Sequence, residues 1–259
     1  MRKATRNTLL LAAAVVLLGV AAFAELKREE KLLPASLTSL NVANLKSLQI
    51  RCAGCRTRRF EHRVNGWWMI EPYPIRADDA VVTRLAAIAN APIRVTLDAH
   101  AYDAKKLGLD PPAISLTFDD VAIDVGGEDP IEHDRYVRIG DRLVRVPDRF
   151  GARLLESPET EIDRHLIDVD AVLVDVGIDG AAPRADLAAA WKNTLAAQMQ
   201  PSEKNEHNTK QIVIEFADAT KLAFSIRRDN DHYVVRRKDI DLDYLFSEAQ
   251  AQALLGAAN

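Results

Sequence analysis

The sequence predicts a strand-rich α+β protein: two related modules of antiparallel sheet with packed helices, plus an N-terminal transmembrane helix. Three observations predict this. Apolar residues alternate at a period of two in many short runs, and only a few stretches carry helical spacing. Two segments about 98 residues apart repeat one order of strands and helix. The first 24 residues are unlike the remainder.

Arg2, Lys3 and Arg6 form a basic start, residues 1–7. Thr8 to Ala24 then run seventeen residues without a charge. A helix of that length is roughly 25 Å long, slightly short of a hydrocarbon core of about 30 Å. It reads as a retained anchor or as a secretory signal cleaved after the small-x-small Ala22-Phe23-Ala24. Either reading keeps the basic start inside and sends the rest across the membrane; the retained anchor gives a single-pass inner-membrane protein with its folded part in the periplasm. Residues 25–37 are a charged linker ending near Pro34.

The first module, residues 38–165, opens on a strand with Leu48, Ile50 and Cys52 on one face. A second strand from about Thr57 to Val64, the turn Asn65-Gly66 and a return strand from Trp67 to Ile70 make a hairpin. Pro72 and Pro74 end it, and Asp78 caps a helix bearing Val81, Val82, Leu85, Ile88 and Ala89, stopped by Pro92. Ile114-Leu116-Phe118 and Val121-Ile123-Val125 alternate as strands, with Gly126-Gly127 a turn or bulge. Gly140-Asp141 joins a further hairpin, and Asp148 caps a short helix through Leu155. The second module, residues 166–259, offers a strand from Val169 to Ile178 and a helix from Arg184 to Gln198. Then come a loop from Pro201 to Lys210, strands at residues 212–216, 222–226 and 233–235, and a closing helix from Phe246 to Leu255.

The repeat aligns Ile114-x-Leu116-x-Phe118 with Ile212-x-Ile214-x-Phe216, and Asp134-x-Tyr136-Val137 with Asp231-x-Tyr233-Val234. Both halves end in a Leu-Leu pair, Leu154-Leu155 and Leu254-Leu255.

Trp67 with Pro72, Ala77-Asp78, Leu107-Gly108-Leu109-Asp110-Pro111-Pro112, Gly126-Gly127 and Tyr136-Val137 together make a pattern over roughly residues 38–165. In it the chain resembles a bacterial family catalogued as domain of unknown function 4340. The resemblance implies a membrane-anchored, extracytoplasmic protein, favours the anchor over a cleaved signal, and brings no catalytic residues. It also implies a distant link to ABC-type transport or gliding machinery as the source of partners.

The formal charge of −4 falls by three, to −7, without the basic start. That balance disfavours nucleic acid, which is held by neutralising phosphates. Arg51, Arg56, Arg58 and Arg59 read as a solvated strand face. The two cysteines, Cys52 and Cys55, lie in the exported part, where disulfides persist. A turn brings residues i and i+3 within about 7 Å, inside reach of a disulfide. Lying between strands, the pair lacks the helix N-terminus of a redox site, and His62 alone does not complete a zinc site.

Asp239, Asp241 and Asp243 fail the EF-hand pattern, with Tyr244 at its glycine position and Gln250 at its closing glutamate. They read as a solvated strand face. No nucleophile elbow, phosphate loop, dinucleotide fingerprint or zinc-protease helix occurs in the sequence. Neither a metal nor another cofactor is therefore expected. The functional expectation is a membrane-tethered accessory or scaffold component of an envelope assembly that acts by binding and not by catalysis. The alternative is a periplasmic hydrolase. A pocket with convergent His and carboxylate groups favours the hydrolase; a pocketless surface with an open sheet edge favours the binder. Trp67 and Trp68 face opposite sides of one strand, and the more exposed ring is the candidate partner contact.

Overall fold

The computed structural model describes residues 16–20, 35–203 and 207–256. Most of the apolar segment Thr8–Ala24 lies outside them. Residues 16–20 are helical and exposed, and no helix among the described residues is long and apolar enough to cross a membrane.

Two antiparallel sheets dominate. The first contains β1 (Ser47–Cys52), β2 (Arg58–Arg63), β3 (Gly66–Glu71), β4 (Ile75–Arg76), β5 (Val95–Leu97), β6 (Ile114–Phe118), β7 (Val121–Glu128), β8 (Asp134–Ile139) and β9 (Arg142–Pro147). Its spatial order is β4-β3-β2-β1-β6-β7-β8-β9-β5. The second contains β10 (Leu173–Ile178), β11 (Gln198–Pro201), β12 (Lys210–Phe216), β13 (Lys221–Asp229), β14 (His232–Arg237) and β15 (Leu242–Ser247), ordered β10-β12-β13-β14-β15-β11. Helix α1 (Asp79–Ala86) precedes β5, and the one-turn α2 (Gly151–Leu154) follows β9. Helix α3 (Ala188–Asn193) precedes β11, and α4 (Glu248–Leu255) follows β15.

The alternation of the sequence sets these faces. Leu48, Ile50, Phe60, Met69, Leu116 and Phe118 are fully buried on one side of the first sheet. Helix α1 turns Val82 and Leu85 inward. Its start is fixed by the Asp78 carboxylate, which accepts from the Ala80 and Val81 amides. In the second sheet Ile212, Ile214, Phe224, Val235 and Phe246 are buried. Trp191 of α3 stacks obliquely on Phe224 and donates its indole N–H to the Leu254 carbonyl of α4 at 2.8 Å. One core cluster runs through both sheets.

Several expectations are corrected. Val64 and Asn65, not Asn65 and Gly66, form the hairpin tip, with Arg63 paired to Gly66. Gly66 opens β3 at φ 121° because the Asp79 carboxylate stands 2.6 Å from where a Cβ would be, and that carboxylate accepts from the Trp67 amide. The helix expected over 184–198 ends at Asn193. The next residues turn extended as the Ala197 amide bonds to Leu245 and β11 joins β15. Phe246 belongs to β15, and the closing helix starts after Ser247, whose capping box with Gln250 fixes it.

The Asp239–Asp243 run is no strand face. Asp239 and Asp241 sit in a turn, while Asp243 is fully buried and accepts from Arg236 Nε at 3.0 Å. Nor is Arg58 solvated. It is 1% exposed, paired with Glu161 at 2.6 Å, and also donates to the carbonyls of Leu154 and Glu156.

The stretches that carried the family resemblance meet in space. The Leu107 carbonyl accepts from the Gly127 amide at 2.7 Å, and a Cβ on Gly126 would lie 2.3 Å from that oxygen. Gly126-Gly127 is a bulge in β7, and only glycine lets the 107–112 loop approach it this closely.

Residues 161–165 stitch the two sheets together. The Asp78 amide bonds to the Glu161 carbonyl and the Asp163 amide to the Arg76 carbonyl, so this segment covers the β4 edge. One residue on, the Ala196 amide bonds to the Arg164 carbonyl of the same segment, beside β11.

Burial pushes the Glu161 carboxyl up to about 7, and Arg58 limits the rise. From pH 4.5 to about 7 the unfolded chain releases this proton and the folded chain keeps it. Stability therefore falls as pH rises through that window, by up to about 3 kcal/mol, and levels off above it. Denaturant melts at pH 5 and pH 7.5 should show a Glu161→Gln variant with a flatter profile than the native chain by that amount. Parallel profiles would show that Glu161 does not titrate there.

Candidate binding groove between the two sheets

Strand β3 places Trp68 opposite Arg76 of β4. Because side chains alternate, Trp68 faces away from the buried Trp67 and Met69. The connecting segment 163–172 comes up on one side of this pair, and the β12–β13 turn on the other. Between them is a cavity of about 500 Å³. Trp68, Ile75, Ile167, Val172, Phe216 and Leu222 give it an apolar floor, and charged groups rim it.

Arg76 is the hub. Its guanidinium lies 2.9 Å from Asp170, 3.3 Å from Asp168, 3.5 Å from Asp79 and 3.9 Å from Asp163. It also donates to the Asn65 carbonyl at 2.6 Å. Burial works to lower the Arg76 pKa, but the bond to Asp170 and the carboxylates of Asp168 and Asp79 outweigh it, and the net shift is upward. Asp170 is held below its ordinary value by hydrogen bonds from the Asn65 amide and then from Arg76. The connecting segment is shaped locally by its own aspartates: Asp163 accepts from the His165 amide and Asp168 from the Asp170 amide.

Two further pairs line the cavity. Asp163 Oδ1 is 2.6 Å from His165 Nδ1. Asp218 accepts from the Thr220 hydroxyl at 2.6 Å and from its amide, which lowers the Asp218 pKa.

The residues singled out from sequence fall in three places. Trp67 is 4% exposed and stacks on His62 with ring centroids 4.8 Å apart, so it is a core residue and not a partner contact. Trp68 is half-buried on the cavity wall, with Arg63 over its ring at 4.7 Å and its indole N–H donated to Asn65. Cys52 and Cys55 are joined as a disulfide across the β1–β2 turn, with Cα atoms 5.5 Å apart. Among the described residues no cluster of His, Cys, Asp and Glu has the geometry of a metal site.

Sequence reading missed Arg76, Asp163, His165, Asp168 and Asp170. The signal it could have used was the density of aspartate in residues 163–170, interleaved with apolar Leu166, Ile167 and Val169. Such a run, neither strand nor helix in pattern, needs a cation to fold against.

Residues 67–177 match the family model described as "Domain of unknown function (DUF4340)". This is a DUF4340 domain-containing protein. The matched region runs from Trp67 on β3 through β4–β9 and the connecting segment into β10. No curated protein and no solved structure matches the chain.

Arg76→Ala would leave its four carboxylates facing one another. It should cost about 2 kcal/mol of stability, and Arg76→Lys about half of that, since lysine keeps the charge and loses the fork. Thermal melts of the three chains check this; an unchanged Arg76→Ala melt would remove Arg76 as the tie between the sheets.

Proposed function

We propose that this DUF4340 protein works by binding, as an accessory or scaffold component of an envelope assembly, and that its partner seats in the groove between the sheets. The observation that carries the reading is Trp68. It is a half-buried aromatic ring at the junction of both sheets, in a cavity of the size and apolar lining that binding sites have. We also read Thr8–Ala24 as the anchor that keeps the chain at the inner membrane with both sheets outside the cytoplasm.

The two sheets read as a duplication. Each contains the run of a first strand, a four-strand meander and an edge strand that precedes the meander in sequence: β1-β6-β7-β8-β9-β5 and β10-β12-β13-β14-β15-β11. In each, the edge strand follows a helix in sequence and pairs antiparallel with the last strand of the meander. Strands β2–β4 are then an addition outside β1. The groove lies between that addition, which supplies Trp68, Ile75 and Arg76, and the second copy, which supplies Phe216, Lys221 and Leu222.

A second reading, hydrolysis, is favoured by the His165–Asp163 pair in the cavity wall. Against it, a nucleophilic hydroxyl needs a hydrogen bond to its base, and the Thr220 hydroxyl donates to Asp218. Binding is the stronger reading.

Crosslinking in intact cells, followed by mass spectrometry, tests it with Trp68→Ala. Partner recovery should fall at least about tenfold while stability drops by no more than about 1 kcal/mol. Arg142→Ala, at an exposed position away from the groove, should leave recovery unchanged. Undiminished recovery with Trp68→Ala would move the partner surface elsewhere. For the anchor, the full-length chain should stay in the membrane pellet through salt and alkaline washes. A soluble product beginning at Glu25 would make the segment a cleaved signal.

A further inference from the structure

The groove carries a charge imbalance. Four carboxylates, those of Asp79, Asp163, Asp168 and Asp170, stand within 4 Å of the single guanidinium of Arg76. Its other cations do not redress this. Lys221 is matched by Glu215 at 3.0 Å and Arg237 by Asp239 at 2.8 Å, and Lys192, which acts on Asp170 and donates to the Ala171 carbonyl, adds one charge. The surplus is negative, and it sits beside an apolar floor formed by Trp68, Phe216 and Leu222. Apolar surface also continues out of the cavity: Val172 of its lining is 64% exposed, and Val174 on the edge strand β10 is 44% exposed.

Resting on the groove as the binding surface, we infer that its occupant is a segment of a partner polypeptide carrying a lysine or arginine among aliphatic residues. The cavity is the site, and the carboxylates choose the sign of its ligand. A long basic side chain has the matching shape. Its methylene stem lies on apolar surface and its charged head reaches the surplus carboxylates. The aliphatic neighbours of that residue extend over Val172 and Val174, an area that a lone small amine would leave uncovered. Asp170 stays ionised at neutral pH, since Asn65 and Arg76 hold its pKa down.

The test uses the full-length chain in nanodiscs and its tryptophan fluorescence. Trp67 and Trp191 are buried, so changes on titration report on Trp68. The probes are terminally blocked nonapeptides of alanine and leucine with a central lysine or a central glutamate, and n-butylamine alone. The lysine peptide should bind saturably and at least about tenfold more tightly than the glutamate peptide, with butylamine weaker than either limit of that comparison. Asp168→Asn with Asp170→Asn should bring the two peptides to near parity. Lys221→Glu, at a 60% exposed position opposite Glu215, should tighten the lysine peptide about threefold at a small folding cost.

An equal or tighter glutamate peptide, no saturable change with any probe, or a Lys221→Glu chain that binds lysine peptide no better would overturn the inference. Butylamine binding as tightly as the peptide would overturn its polypeptide part. If Trp68→Ala still loses the cellular partner in those cases, the groove stands and only the ligand class falls. If partner recovery is also undiminished, both fall.

Discussion

The relation between the two sheets depends on one guanidinium. Arg76 lies on a two-residue edge strand with little packing of its own, yet it is 13% exposed and reaches four aspartates. Three of them belong to the segment that leaves the first sheet for the second. An isolated surface ion pair contributes little, because water competes and two long side chains must be held still. Here the aspartates are short, three of them accept from backbone amides and Asp170 from the Asn65 side chain, and all surround a single fork-shaped donor. The cost of ordering is thus shared over several contacts. The backbone pairing of residues 161–163 with β4 adds directional bonds at the same place.

The groove follows from that tie. With the segment 163–172 fixed against β4, Trp68 on β3 is left between the segment and the β12–β13 turn, too far from either to be fully covered. Its companion Trp67 points to the other face, where α1 and Met69 bury it. One dipeptide thus supplies a core residue and a wall residue, by strand alternation alone. The His165–Asp163 pair is part of the same tie: Asp163 serves the His165 ring, its amide and the edge of Arg76 together.

Much of the fold was legible because the chain alternates cleanly. Leu48 and Ile50, Ile114 to Phe118, and Ile212 to Phe216 name their faces without help from any other segment. The Asp78 cap was equally local. What escaped reading was decided at long range. Arg58 sits in a run of arginines that looks solvated, until Glu161 and two carbonyls arrive from about a hundred residues later. Strand β15 was hidden by the acidic Asp239–Asp243, although Leu242, Tyr244 and Phe246 alternate and are buried. Strands β5 and β11 are too short to show a period, and exist because a longer strand offers them an edge. The groove was half legible: Trp68 was marked by its neighbour Trp67, whereas Arg76 and its aspartates are unremarkable until the chain brings them together.

The claim that organises all of this is that the groove between the sheets is where a partner sits. Site-specific photocrosslinking in intact cells tests it most directly, with a photoreactive residue placed at Lys221 on the rim or at the exposed Arg142, where β9 leaves the β8–β9 turn at the far side of the first sheet. The account predicts a discrete adduct from position 221 and none from position 142. Adducts from position 142 alone would contradict it.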